Sequence, residues 1–158
     1  MHGRADLGRF GGALTEVSRK AAVKSAQPAL EPDEQIQQVF LGQADIDRDD
    51  MKQLIELKRS GQQLPLRGRF SRFAVMASER NLYVFPQGNP GSALKILATR
   101  NLVPLITDAV EKHPIGSIPV RQEGKRLVVG DLRLKIVRIN RNDADALVSF
   151  VQARSSLS

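Results

Sequence analysis

A chain of 158 residues has room for one well-buried domain and a short appendage, and a composition of 41% hydrophobic and 26% charged residues is that of a folded protein, not a disordered one. Its 24 Lys and Arg against 17 Asp and Glu give a net charge of +7, which turns expectation toward anionic partners. The lack of cysteine excludes disulfides, thiolate catalysis and cysteine-based zinc sites, and 4% aromatics with no Trp argues against ring-by-ring stacking on bases.

Residues 1–27 carry Leu7, Phe10, Leu14, Val17 and Ala21 at helical spacing, with Arg9, Arg19, Lys20 and Lys24 on the remaining surface. This predicts an amphipathic basic helix from about Ala5 to Ala26, whose apolar stripe docks on the domain, on a second copy or on a membrane surface. Gly8, Gly11 and Gly12 weaken it as an isolated helix, so it needs a partner surface. Residues 28–32, bounded by Pro28 and Pro32, read as a linker, and the domain proper is expected over 33–154, with 155–158 a polar tail.

Within the domain, Gln35–Gly42 is expected as a first strand. A helix over Ala44–Gly61 follows, with Asp47 or Asp49 as N-cap and Met51, Leu54, Ile55 and Lys58 on one face. Arg69–Ala77 and Leu82–Phe85 read as a hairpin, and Pro86–Gly91 as a loop. Ala93–His113 reads as two short helical pieces interrupted at Pro104. Three further strands are expected at Ser117–Arg121, Arg126–Val129 and Asp131–Ile139, with turns at Glu123–Lys125 and around Gly130. A last helix, capped by Asn142 or Asp143, carries the stripe Ala144, Leu147, Val148 and Val151.

The segments EPDEQIQQVFLGQ, FAVMASERNLYVF, EGKRLVVGDLRLKIV and DADALVSFVQA, in this order, resemble the bacterial pleckstrin-homology-like (PH-like) domain family over about residues 31–154. The resemblance implies an α+β fold, an antiparallel barrel or sandwich of six or seven strands closed by the C-terminal amphipathic helix. It also implies a scaffold that binds proteins or anionic lipids without catalysis. Lipid-binding members of the wider family use cations between their first two strands. Here that region corresponds loosely to Lys58, Arg59, Arg67 and Arg69 across a long insertion, so phosphoinositide specificity does not carry over.

The residues themselves offer little chemistry. Asp45, Asp47, Asp49 and Glu56 mimic calcium-loop spacing, but Asp50 stands where the turn requires Gly, and helix capping explains the acids better. His2 and His113 are the only histidines, which leaves neither a triad nor a histidine metal site. No enzyme activity, cofactor, metal or small-molecule substrate is expected. The candidate anion- or partner-binding set is Arg67, Arg69, Arg72, Arg121, Lys125, Arg126, Arg133 and Lys135, with Arg133 and Lys135 sharing an exposed strand face. The leading expectation is a protein-protein interaction module, through a protein partner or self-association. Peripheral attachment to anionic membrane through the N-terminal helix and the basic face is a second reading, and nucleic-acid binding a third. No apolar run reaches the roughly 20 residues of a membrane span, and no secretion signal is visible, so a cytoplasmic location is the default expectation.

Overall fold

The runs at 73–77 and 82–85 contain almost no polar residue, a pattern that fits strands covered on both faces. In a computed structural model, which describes residues 16–88 and 105–155, they form the two inner strands of a four-stranded antiparallel sheet. The strands are β1 (Gln38–Gln43), β2 (Arg72–Ala77), β3 (Asn81–Pro86) and β4 (Glu111–Pro114), in the order β1-β2-β3-β4. A second antiparallel sheet contains β5 (Val120–Glu123), β6 (Arg126–Val129) and β7 (Leu132–Lys135). The two sheets do not close into a barrel. They meet where Ala44, just past β1, bridges Leu134 of β7 and the Asp45 N–H donates to the Arg133 carbonyl at 2.8 Å.

Among the described residues four α-helices accompany the sheets: α1 over residues 16–26, α2 (Arg48–Arg59), α3 (Leu66–Arg69) and α4 (Arg141–Ser155). The inter-sheet core joins Phe40, Phe73, Val75 and Val84 from the first sheet to Leu127, Val129 and Leu134 from the second. The stripe Ala144, Leu147 and Val151 of α4 packs into the same core. Burying such side chains at roughly 1.5–3 kcal/mol each is what holds the layers together. The opposite face of the first sheet forms a separate cluster in which Val39, Ala74, Met76, Tyr83 and Phe85 lie beneath Ala22 and Ala26 of α1.

Several expectations are corrected in detail. The docked face of α1 is Ala22 and Ala26, rotated by one residue, about 100°, from Val17 and Ala21; Val17 is 52% exposed. Small residues there let the helix axis approach the sheet. Leu7, Phe10, Leu14 and Arg9 lie outside the described residues. Of the expected α2 face, only Leu54 is buried, while Met51 and Ile55 are exposed.

The region expected to be helical up to His113 contains a 3-10 turn (Thr107–Ala109) and then strand β4, which pairs Leu82 with His113 and Tyr83 with Lys112. Glu-Lys-His-Pro carries no apolar alternation because β4 is an edge strand with exposed or half-buried side chains, and its terminal Pro114 suits an edge. Residues 93–104 of that region, and residues 89–92 at and after the end of the expected loop, lie outside the described set. The closing helix starts at Arg141, so Asn142 and Asp143 sit in its first turn and Asn140 precedes it.

Candidate functional site

Docking α1 on the sheet leaves a groove of about 600 Å³ between the helix and the edge strand β1. One wall is α1, which contributes Arg19, Lys20 and Lys24, with Gln27 just beyond the helix. The other wall is residues 36–39, where Gln37 and Gln38 bring amides and Ile36 and Val39 apolar surface; Val23 completes the floor. Asp143 of α4 also lines the groove and receives Arg19 Nη1 at 2.6 Å. Desolvation pushes the Asp143 carboxyl above the usual range, and Arg19 opposes that shift. Among the described residues Lys20 makes only a 3.5 Å contact with exposed Glu16, and Lys24 is exposed.

The cations expected to form a strand-borne patch are dispersed and largely paired. Arg67 donates to Asp131 at 2.7 Å, Arg121 lies 2.8 Å from Glu123 and Arg126 lies 2.8 Å from Asp45. Arg133 reaches Asp47 at 3.4 Å and Asp50 at 3.7 Å. Arg69 sits over the Phe70 ring at 5.8 Å. Among the described residues, Arg72, Lys125 and Lys135 form no ion pair. They lie at the start of β2, in the β5–β6 turn and at the end of β7.

The acids with calcium-like spacing have other work. Asp47 caps α2 by accepting from the Asp50 N–H at 2.8 Å, and this bond, opposed by desolvation and helped by Arg133, lowers its pKa. Asp45 holds Arg126, and Asp49 lies in the first turn of α2.

A buried polar cluster was not anticipated from the sequence. Glu34 is 8% exposed, and its carboxylate accepts from Ser78 Oγ, Tyr83 OH, Asn81 Nδ2 at 2.9 Å and the Glu31 N–H at 3.0 Å. Burial opposes ionisation, but the four donors outweigh it and lower the pKa to about 2. Burial and the bond to Glu34 push the Tyr83 hydroxyl well above its ordinary value. Glu31, alongside, binds Lys112 and lies 3.2 Å from Arg80. The cluster ties the residues entering the domain to the β2–β3 hairpin and to β4. One signal was readable, because a Tyr inside a fully apolar strand must find a partner for its hydroxyl.

A smaller cavity of about 130 Å³ lies between α3, β3, β4 and the β6–β7 turn, with Leu66, Arg67, Val84, His113, Val129 and Asp131 in its wall. Arg67 Nε is buried there without a partner among the described residues. Asp131 and Glu111 leave this cavity without an excess of positive charge. Among the described residues no group of three or more His, Asp or Glu side chains is arranged to hold a metal, and no helix is long and apolar enough to cross a membrane. No protein-family model, curated protein or solved structure matches the chain.

Proposed function

We propose that this chain is a non-catalytic, PH-like binding module that takes a protein partner through a cationic surface. Two antiparallel sheets of four and three strands, packed together with a C-terminal helix, support the PH-like reading. The observation that carries the functional reading is the groove between α1 and β1. It combines three cations, three amides and an apolar floor, the mixed chemistry with which proteins recognise other polypeptides.

The exposed Val17 beside Lys20 and Lys24 favours a second reading, peripheral attachment to anionic membrane through α1. The two are separated by challenging immobilised full-length chain with anionic vesicles, with nucleic acid and with nuclease-treated, detergent-cleared cell protein. The proposal expects salt-sensitive retention of a defined protein set under the last condition. Retention of vesicles or nucleic acid alone would contradict it.

A further inference from the structure

Three features of the groove act together, the first being its backbone edge. In an antiparallel ladder the N–H and C=O groups of alternate residues turn away from the paired strand. The Ala44 N–H donates to Ser71 across β2, and the Asp45 N–H donates outward to Arg133, so the odd-numbered residues of β1 face away from β2. The Leu41 carbonyl is occupied by Asn140 Nδ2 at 3.1 Å. At Val39, which lines the groove, no hydrogen bond from outside the sheet is formed among the described residues. The second feature is charge. Lys20 and Lys24 stand exposed along one wall, and Arg19 already holds a carboxylate there, that of Asp143. The third is shape. Ile36 and Val23 are half-buried and Val39 is buried, so the apolar surface is a floor and not a protruding face.

We propose that this groove binds an acidic peptide segment in extended conformation, with acidic and apolar side chains in alternation. Side chains of an extended chain paired with Val39 point alternately to the two faces of the sheet, so the acidic set faces α1, where the lysine wall and the apolar floor both lie, and the intervening apolar set faces α4. The wall from Arg19 to Gln27 is about 12 Å long at helical rise, the reach of about four extended residues. An anionic vesicle surface is the competing occupant that the test sets against the peptide. The inference rests on the protein-binding reading above and narrows it to one partner chemistry at one place.

The test measures fluorescence anisotropy of a short labelled peptide of alternating Glu and Val against full-length protein at low salt. A Lys/Val counterpart and phosphatidylserine vesicles are run in parallel. The Glu/Val peptide is expected to bind and the Lys/Val peptide not to. The double variant K20E/K24E, both sites being exposed, is expected to weaken binding at least about tenfold with an unchanged melting temperature. Absence of Glu/Val binding, binding indifferent to K20E/K24E, or capture of vesicles without capture of peptide would each overturn the proposal. If K125E/K135E weakens binding and K20E/K24E does not, the groove assignment fails while the cationic protein-binding reading stands. If neither peptides nor protein partners are retained, both fail.

Discussion

At the scale of single residues, Glu34 is the clearest example of a charge whose burial is compensated by dipoles. Among the described residues no cation pairs with it, and its ionised state is held by two hydroxyls, an amide and a backbone N–H. Its pKa is lowered from 4.5 to about 2. The folded state therefore binds the proton less readily than the unfolded chain, so the stabilisation is fully present above pH 4.5 and is lost as pH falls toward 2. On that basis Glu34→Gln costs about 3 kcal/mol near neutral pH. Urea denaturation at neutral and acid pH should show wild type and variant converging as the pH approaches 2; a constant difference would contradict the assignment.

Gly42 is constrained by space, since a Cβ there would stand 2.5 Å from Cε1 of Phe40, a ring with no exposed surface. Gly42→Ala is expected to cost about 1–3 kcal/mol in thermal or chemical unfolding, as overpacking does elsewhere.

At the scale of elements, α4 is fixed at both ends. Asn140 donates to the Leu41 carbonyl at 3.1 Å and the Lys135 carbonyl at 3.2 Å and accepts from the Val137 N–H at 2.8 Å, joining β1, β7 and the helix start. At the far end Arg154 forms a two-pronged bond to Glu79 of the β2–β3 turn and lies over the Phe150 ring. Asn140→Ala leaves three backbone groups without a partner and should cost about 2–3 kcal/mol. Hydrogen exchange should quicken at the start of α4 and not at its end; uniform quickening would mean the joint is not local.

These elements also show what could be read from sequence. The hairpin and the β6 bounds were legible as short continuous apolar runs bounded by polar turns, and the α4 stripe because its apolar residues kept the helical period. Strand β4 was not, because an edge strand buries no continuous face. The rotation of α1 was hidden for a different reason. Its docking face consists of alanines, whose small apolar surface is outweighed in any periodicity by a larger neighbour such as Val17, and close approach to the sheet rewards small residues. The unbroken apolar runs of β2 and β3 held a clue, since a strand without alternation needs cover on both sides.

For the molecule as a whole, net charge proved a poor guide to where the charge acts. Arg67, Arg121, Arg126 and Arg133 are paired with carboxylates, so much of the anticipated strand-borne patch is internally compensated. Positive charge next to apolar surface occurs instead where α1 crosses the sheet, an arrangement visible only after folding. The groove exists only while α1 is docked. Ala26→Asp would put a charge into a contact with no exposed surface, undocking α1 and removing peptide binding while the inter-sheet core persists. Far- and near-ultraviolet circular dichroism with the anisotropy assay would separate these outcomes, and retained binding would show that α1 is dispensable.

Raising the ionic strength toward about 1 M, where charges are screened within about 3 Å, should weaken peptide binding steeply and leave the melting temperature nearly unchanged.

The most direct test is a nuclear magnetic resonance titration of the full chain with the alternating Glu/Val peptide, followed residue by residue. Shifts concentrated in residues 19–27 and 36–39 are expected. Shifts centred on Arg72, Lys125 and Lys135, or none at all, would contradict the assignment of binding to the groove between α1 and β1.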